Sequence, residues 1–422
     1  MTRSGLPMDQ RTLTDWQLTG LDNAFSLADG HAHHGVPADL LQAVAPRLPN
    51  MLFDIESLPQ SAFERAFSSA FYDLAGQAPP PDAELAFHFS ASVSTDCTAR
   101  ALVDAGVRRV GLVTPTFDNI PLLLRRARLE LVPLREAAFW ADAAYRRERL
   151  RDCQALFLVV PNNPTGFEPD EPAFLDVVEL AAEYRLALVV DFSFRFYSRL
   201  HTWDQYGAVV RSQPALDAVF LEDTGKTWPT AELKVGFSCA LGRLREPLRN
   251  ATREVLLNVS PFTLCLLTEL IKADLKQRLA LGEPHACEVV AENRRQLRLL
   301  LDGLAVEVVS RDSLISVEWL RLPTGAAATC AWLEERGVSI LPGDLFSWDR
   351  PSGDRHVRVA LARSPAYFKQ AATSLVTLLA ERARKGEAGS SRPEREGPPQ
   401  LASGMAQLDA PRWTSSGMRP IR

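Results

Sequence analysis

Short apolar runs alternate with amphipathic stretches through the middle of the chain. Four continuous apolar runs, each bounded by polar residues or by Gly and Pro, are typical of buried strands. They occupy Val110–Val113, Leu156–Val160, Leu186–Asp191 and Ala218–Leu221. Between the second and third runs, residues 171–184 carry apolar side chains at helical spacing. Strand, helix and strand in this order, with strands that are apolar throughout, predict an α/β fold with a largely parallel sheet covered by helices on both faces.

The pattern changes beyond residue 243, where two longer helical stretches (264–281 and 286–304) precede short strands at 314–320 and 356–361. This change predicts a smaller α+β domain at the C-terminal side. We therefore expect an N-terminal segment (1–50), a large α/β domain (51–280) and a small domain (281–384). Residues 385–422 are rich in Gly, Pro, Ser and charge, which predicts a disordered tail.

Composition narrows the class of protein. The 422 residues are 46% hydrophobic and 23% charged with a net charge of -5, which is typical of a globular protein and gives no basic surface for nucleic acid. The first residues have no apolar signal-peptide core, and no run approaches the roughly 18 apolar residues of a membrane span. The six cysteines form no CxxC pair, so neither a disulfide framework nor a zinc site is indicated. The sequence thus predicts a soluble, cytoplasmic protein with no membrane partner.

In parallel sheets ligands bind beyond the carboxyl ends of the strands. In this sequence, residues whose side chains could bind a ligand or take part in catalysis follow the apolar runs. The segment Gly225-Lys226-Thr227 follows the last run. It is not a phosphate-binding P-loop, because that motif needs glycine where Phe220 stands and a helix where Pro229 follows. No GxGxxG motif supports a nicotinamide enzyme either.

Three such segments occur in a fixed order: PNNPTG from Pro161, a strand-end aspartate at Asp191, and DTGK from Asp223, followed by Lys234. Together they resemble the aspartate aminotransferase superfamily, the class I/II aminotransferases of pyridoxal phosphate fold type I. The resemblance extends over residues 25–380. It implies a mostly parallel sheet of the seven-stranded type, pyridoxal 5′-phosphate (PLP) as cofactor, an amino acid and a 2-oxo acid as substrates, and a homodimer.

Lysine chemistry agrees with this resemblance. An amine with a lowered pKa can hold an aldehyde cofactor as an imine and also move a proton, so Lys226 is the candidate, the alternative being a surface lysine in a turn. A carboxylate ending a buried strand needs a cationic partner, and Asp191 would pair with the cofactor's ring nitrogen. By resemblance, Asn163 would bind the ring hydroxyl; it could instead be a turn residue before proline.

The resemblance also assigns the remaining contacts. Ser92 and Val93, in a Ser-rich turn that could simply cap a helix, would bind the cofactor phosphate at a helix N-terminus. Thr224 and Lys234 would add phosphate contacts. Phe117 would stack on the ring or belong to the core. Arg358 would bind the substrate carboxylate, with Arg355, Arg363 or a solvated charge as alternatives.

Three positions depart from the family pattern. Phe194 stands where a tyrosine usually donates to the ring oxygen, and Asp223 stands where a Ser or Thr usually contacts the phosphate. We expect Asp223 to point away and Thr224 to replace it. Lys234 stands where an arginine usually binds the phosphate, so bidentate geometry is lost.

The segment Gly30-His31-Ala32-His33-His34 lies where the family's N-terminal segment crosses the active-site mouth. Gly30 and His31 are predicted to bind substrate; ordinary loop histidines or a metal site are alternatives, although no acidic or Cys partner at ligand spacing supports a metal.

The predicted function is a PLP-dependent enzyme acting on an L-amino acid through an internal aldimine on Lys226, as an aminotransferase. A second hypothesis is a non-transaminating PLP enzyme of specialised biosynthesis, catalysing elimination, cyclisation or oxidation. A third is a non-catalytic binding protein on the same fold. The side-chain specificity lies in loops that no motif marks.

Overall fold

A computed structural model describes residues 11–199, 203–278, 284–310, 312–349 and 354–390. Contacts divide the chain into a unit of residues 1–380 and a second unit of residues 381–422. No helix in the described ranges is both long and apolar enough to cross a membrane.

The helices of the described ranges are α1 (Leu13–Leu21), α2 (Ala38–Val44), α3 (Leu48–Ser57), α4 (Gln60–Ala75), α5 (Ala91–Asp104), α6 (Asn119–Arg126), α7 (Glu136–Ala141), α8 (Ala143–Leu150), α9 (Glu171–Glu183), α10 (Gln205–Ser212), α11 (Arg245–Val255), α12 (Pro261–Arg278), α13 (His285–Leu301), α14 (Ala326–Glu334) and α15 (Pro365–Ser390).

The strands are β1 (Phe25–Ser26), β2 (Glu84–His88), β3 (Arg109–Thr114), β4 (Glu130–Arg135), β5 (Ala155–Val159), β6 (Ala187–Asp191), β7 (Ala218–Asp223), β8 (Gly236–Leu241), β9 (Glu307–Val308), β10 (Val317–Arg321), β11 (Val338–Ser339), β12 (Leu341–Pro342) and β13 (His356–Ala360).

A seven-stranded sheet forms the centre of the fold, in the order β2-β8-β7-β6-β5-β3-β4. Strands β4, β3, β5, β6 and β7 run parallel, whereas β8 runs antiparallel to both of its neighbours. Strands β5, β6 and β7 are buried at every position, because both faces of a central parallel strand are covered. The predicted mostly parallel sheet is confirmed.

Two hydrophobic clusters cover the two faces of this sheet. On one face, apolar side chains of α5, α6 and α11 pack on alternate strand residues such as Val189 and Leu221. On the other face, α4, α9 and α12 pack on Leu188, Val190 and Phe220. Because successive strand residues point to opposite faces, the two clusters fix which way each side chain at the strand ends points.

A second sheet has four strands in the order β12-β13-β10-β9, and a parallel pair joins β1 to β11. A third hydrophobic cluster packs α1, α13, α14 and α15 around these strands. The seven-stranded sheet falls within the range predicted for the large domain, and the four-stranded sheet falls within the range predicted for the small domain. The division at Ala380 does not separate the two sheets, so a boundary near residue 280 stays a prediction. The tail predicted from residue 385 lies outside the described residues, apart from the end of α15 at Ser390.

Candidate active site

A cavity of about 230 Å³ opens beyond the carboxyl ends of β5, β6 and β7. Nine of the eleven residues predicted from the sequence line it, namely Gly30, His31, Ser92, Phe117, Asn163, Asp191, Lys226, Lys234 and Arg358. Val93 and Thr224 are not among its lining residues. The structure therefore brings together side chains that are up to 328 positions apart in the sequence, from Gly30 to Arg358.

A larger open groove of about 720 Å³ lies at the opposite end of the sheet, where β7 begins and β8 ends. Its charged side chains are largely paired with one another, as in Arg243 with Asp217 and Arg245 with Asp82. Parallel sheets bind ligands at the other end, so the smaller cavity is the candidate site.

Lys226 follows the end of β7 in a tight turn, in which the amides of Thr227 and Trp228 donate to the Thr224 carbonyl. The hydroxyl of Tyr197 donates to the Lys226 carbonyl at 2.8 Å. The Lys226 side chain projects into the cavity and is half-buried. Within the described ranges its amine makes no hydrogen bond, so it is available to a ligand.

Asp191 is the last residue of β6 and is buried. Its Oδ1 accepts from the Ser193 amide at 2.8 Å and from the Ser193 hydroxyl at 2.5 Å, while Oδ2 has no protein donor among the described residues. Burial raises the pKa of Asp191, and the Ser193 donors oppose this rise. A cationic group placed at Oδ2 would keep the carboxylate ionised.

The N-terminus of α5 forms one wall of the cavity. Ser90 caps the helix through its hydroxyl, which accepts from the Val93 amide. The Ser92 hydroxyl accepts from the Asn119 side chain at 2.7 Å and lies in the cavity wall. The β8 backbone approaches this end of the helix so closely that a Cβ on Gly236 would lie 2.2 Å from the Ser90 carbonyl carbon. Helix amides at such a position favour an anion.

Asp223 points in the direction opposite to that expected. The Asp223 carboxylate faces the cavity, where it accepts from the Ala91 amide at 3.0 Å and from the Gly225 amide at 2.6 Å. The Thr224 hydroxyl is buried and exchanges two hydrogen bonds with the Val235 backbone. The expectation that Asp223 points away from the cavity is therefore wrong. A phosphate contact of Thr224 stays a prediction, and the Thr224 hydroxyl already bonds Val235 just beyond the paired ends of β7 and β8.

Lys234 supplies a cation at the same end of the cavity. Its amine pairs with Glu232 at 2.5 Å, and the lysine side chain is 9% exposed whereas Glu232 is 90% exposed. Glu232 is thus open to solvent, and an ion pair with such an exposed partner contributes little to stability. Lys234 can therefore exchange Glu232 for another anion.

Arg358 lies on β13 and is buried in the cavity wall. Its guanidinium donates to Asn163 Oδ1 at 3.3 Å and to the Ala28 carbonyl. It lies 5.8 Å from the centre of the Phe117 ring. Burial lowers the pKa of Arg358 to about 10, so the guanidinium remains charged at neutral pH.

The alternative arginines are placed elsewhere. Arg355 is exposed. Arg363 is buried and donates to the main-chain carbonyls of Ser26, Asp29 and His31. Arg363 thus holds the N-terminal segment in place, and of the three arginines only Arg358 lines the cavity.

The N-terminal histidines converge on one carboxylate. Asp29 accepts from His31 Nδ1 at 2.7 Å and from His33 Nε2 at 2.6 Å. Burial alone would raise the pKa of Asp29, but these two hydrogen bonds hold it well below its usual range. The positive charge of Lys226, followed by burial, lowers the pKa of His31. No metal-ligand cluster occurs in the parts of the chain that the structure describes, and His31 alone of the three histidines lines the cavity.

The structure adds residues that sequence reasoning missed. Thr14 and Gln17 of α1 line the cavity, as does Asn119. Glu136 Oε1 accepts from Asn162 Nδ2 at 2.6 Å and from the Thr165 hydroxyl at 2.8 Å, so it holds the loop that carries Asn163. Glu136 directly follows β4. The principle that ligands bind beyond the carboxyl ends of parallel strands would have identified Glu136 if it had been applied to β4. No sequence signal marks Thr14 or Gln17.

The family model "Aminotransferase class I and II" matches residues 88–375. Methionine aminotransferase of Escherichia coli (strain K12) is 24% identical over 331 residues, which cover 74% of this chain and 81% of the relative.

Two solved structures illustrate the likeness in three dimensions. A structure of MppP soaked with the product 2-ketoarginine is 32% identical, with a TM-score of 0.76 over 83% of this chain and 98% of that one. Aspartate aminotransferase from Thermus thermophilus, with maleate, is 17% identical, with a TM-score of 0.70 over 89% of this chain and 99% of that one. The second likeness is one of fold.

Proposed function

The chain belongs to the class I and II aminotransferase family, and from this premise we propose that Lys226 is the residue that binds the cofactor covalently. The family membership confirms the resemblance inferred from the motifs and makes the protein a PLP-dependent enzyme of fold type I that acts on an amino acid. The observation that carries the proposal is that the Lys226 amine and the Asp191 carboxylate line one cavity.

The residues present fit PLP. Lys226 offers an amine without a hydrogen-bond partner in the described ranges, and Asp191 offers one unused carboxylate oxygen. A Cβ on Gly225 would lie 3.0 Å from the His31 ring and 2.8 Å from the Lys234 side chain, so glycine keeps the space beside the lysine open. Asp191 would pair with the ring nitrogen, and Asn163 would bind the ring hydroxyl.

The phosphate would lie at the N-terminus of α5, with Ser92, Val93 and Lys234 as its contacts. A helix N-terminus and a cation both favour a dianion. Asp223 already accepts the Ala91 amide, so the phosphate would share this end of the helix with a fixed carboxylate. Phe117 would cover one face of the ring.

PLP, when bound, stabilises the negative charge that develops at the α-carbon of an amino acid. Around it, Arg358 would bind the substrate carboxylate through its planar fork. Gly30 leaves room for that carboxylate, because a Cβ there would lie 3.5 Å from the Arg358 guanidinium nitrogens. Lys226 would move the proton at the α-carbon, and His31, fixed by Asp29, would contact the substrate beside it.

We propose transamination as the reaction, yielding a 2-oxo acid. The substrate proposed is an amino acid with a long side chain: the similar MppP structure contains 2-ketoarginine as product, and the Escherichia coli relative is a methionine aminotransferase. Arginine and methionine are therefore the first substrates to test.

A second candidate is a non-transaminating reaction: elimination, cyclisation or oxidation of the amino acid, within biosynthesis. Two observations favour it. Phe194 lines the cavity where the family pattern has a hydroxyl donor, and Asp223 places a carboxylate at the phosphate end. The first removes a hydrogen-bond donor and the second adds a negative charge, and either would alter the pKa values of the groups around the cofactor.

A homodimer is proposed on the basis of exposed apolar side chains. Leu48, Leu52 and Phe53 of α3 are 36%, 61% and 73% exposed, and Leu257 is 99% exposed. Apolar side chains grouped on one helix often mark a protein interface. Sedimentation equilibrium of the wild type and of a Leu52→Lys, Phe53→Lys variant tests it. We further propose that the enzyme is cytoplasmic and takes part in amino acid metabolism.

The function is tested by loading the purified protein with PLP, reducing it with borohydride and identifying the modified peptide by mass. A pyridoxyl group on Lys226, absent from Lys226→Ala, is the expected result; labelling at another lysine would reject the assignment. The loaded enzyme is then given a panel of amino acids. An oxo acid formed together with the pyridoxamine form of the cofactor indicates transamination. An oxo acid released with ammonia indicates elimination or oxidation, and a cyclic product that retains the amino nitrogen indicates cyclisation.

A further inference from the structure

A buried ion pair lies behind the cavity, on the other face of the sheet. Alternation along β7 points Asp223 toward α5 and Glu222 toward the opposite face. The side chains of Glu222 and Arg195 are each 1% exposed. Arg195 Nε donates to the two Glu222 oxygens at 2.9 and 3.1 Å. Neither residue lines the cavity, and neither has a role in the function proposed above.

Neutral groups complete the hydrogen bonding of this pair. The Tyr206 hydroxyl donates to Glu222 Oε1 at 2.8 Å, and Gln205 Oε1 accepts from Arg195 at 2.5 Å. The Phe192 ring lies 4.2 Å from the guanidinium carbon. A buried ion pair adds little net stability compared with apolar residues of the same volume. What such a pair does provide is a fixed distance between the two chain segments that carry it.

Those two segments lead to the two central residues of the site. Arg195 begins a 3₁₀ turn that ends at Tyr197 and follows directly on the loop from Asp191. Glu222 lies just before the turn that carries Lys226. At the other end of the 3₁₀ turn, the Tyr197 hydroxyl donates to the Lys226 carbonyl at 2.8 Å. One short turn thus contacts the Lys226 segment on both sides of Asp223.

We propose that Arg195, Glu222 and Tyr197 are positioning residues that fix the Lys226 turn relative to the Asp191 carboxylate. This inference rests on the proposed roles of Lys226 and Asp191. The residues before Lys226 are well held, because Thr224 bonds Val235, the Gly225 amide donates to Asp223 and the Gly225 carbonyl accepts from Ala32. At Lys226 itself, the Tyr197 hydroxyl is the one hydrogen-bond partner of the main chain within the described ranges. Misplacement of a reacting group by about 1 Å can cost about 100-fold in rate, so such a turn needs support from outside.

The first test variant is Tyr197→Phe, which removes the hydroxyl and leaves the ring. Loss of one hydrogen bond changes an equilibrium by about five-fold. In the cofactor-free protein, we therefore expect the amides of Thr227 and Trp228 to exchange with deuterium about five times faster. In the loaded protein, we expect weaker visible circular dichroism of PLP and a dissociation constant raised about three- to ten-fold.

Two further tyrosine variants complete the design. Tyr206→Phe removes the donor to Glu222 and should produce the same changes at about two-fold. Tyr72→Phe is the matched control: its ring is buried beside Tyr206, but within the described ranges its hydroxyl bonds neither the Asp191 loop nor the Lys226 turn. We expect its exchange rates and circular dichroism to equal those of the wild type.

The proposal is overturned if the exchange rates and the circular dichroism of Tyr197→Phe both stay within the range of Tyr72→Phe. This holds even when the melting temperature of Tyr197→Phe falls, because the Tyr197 hydrogen bond would then stabilise the fold without positioning Lys226. Should Tyr197→Phe fail to fold, Tyr206→Phe decides by the same comparison. Failure of the proposed function would look different: the wild type would gain no pyridoxyl group at Lys226, while the exchange measurement on the cofactor-free protein would remain readable.

Discussion

Replacement of Glu136 by Gln should stabilise the protein at alkaline pH and leave its stability at acidic pH almost unchanged. Glu136 holds the loop before Asn163 through Asn162 and Thr165. Burial raises the pKa of Glu136 from 4.5 to about 7, although these two donors oppose the rise. Gln keeps an oxygen that can accept both hydrogen bonds but cannot ionise.

The magnitude follows from proton linkage. A carboxyl group with a raised pKa in the folded state stabilises folding in its protonated form; this contribution is fully present below pH 4.5 and is lost as the pH rises through about 7. A difference between 4.5 and about 7 is worth roughly 3 kcal/mol at pH 8. Because Glu136 is partly exposed, we expect about 2 kcal/mol of this to be realised.

The assay is urea unfolding of the wild type and of Glu136→Gln at pH 4.5 and pH 8. The variant should exceed the wild type by about 2 kcal/mol at pH 8 and by less than about 0.5 kcal/mol at pH 4.5. Glu148→Gln, at an exposed position on α8, serves as the control and should show no such pH dependence. Equal differences between Glu136→Gln and the wild type at both pH values would refute the reasoning, since the glutamate would then be ionised equally in the folded and unfolded states.

Three further predictions concern the cavity. The Asp191→Asn variant cannot form an ion pair with a protonated ring nitrogen, so turnover of the preferred amino acid should fall by about 100-fold or more. Borohydride should still label Lys226 in this variant, and unchanged turnover would contradict the role of Asp191. Arg358→Lys should raise the KM for the amino acid about ten-fold or more with a smaller change in kcat, because an ammonium lacks the planar fork, and the KM of a simple amine without a carboxylate should not respond. The Phe194→Tyr variant returns a hydroxyl to the cavity and should move the pH midpoint of the cofactor's visible absorbance by about half a unit or more. An unchanged midpoint would show that the new hydroxyl does not contact the cofactor.

The parallel sheet and the centre of the site were predictable because both depend on local patterns. Apolar runs marked β5, β6 and β7, and the carboxyl ends of these strands placed Asn163, Asp191 and Lys226 together. The remaining predicted cavity residues came from the family resemblance, which supplies the long-range pairing that a single sequence does not contain.

The sequence-based prediction failed where the direction of a side chain depends on a segment that is distant in the sequence. The sequence reading ended the last strand at Leu221, whereas β7 continues to Asp223, and this continuation points Asp223 toward α5 and the cavity. The Thr224 hydroxyl bonds Val235 just beyond the paired ends of β7 and β8, an antiparallel pair that the prediction did not contain. Gln17 lines the cavity on α1, and this helix is held by contacts with sequence-distant residues, such as that of the Leu13 amide with Asp118.

The hydrogen bonds from Arg363 to the backbone carbonyls of Ser26, Asp29 and His31 have a practical consequence for protein engineering. A truncation that removes the first thirty residues would deprive two interior guanidinium groups, those of Arg358 and Arg363, of carbonyl oxygens that accept their hydrogen bonds. Unmet donors in a protein interior are costly. A shortened expression variant should therefore begin well before Ser26, and a purification tag is better attached at the opposite end of the polypeptide.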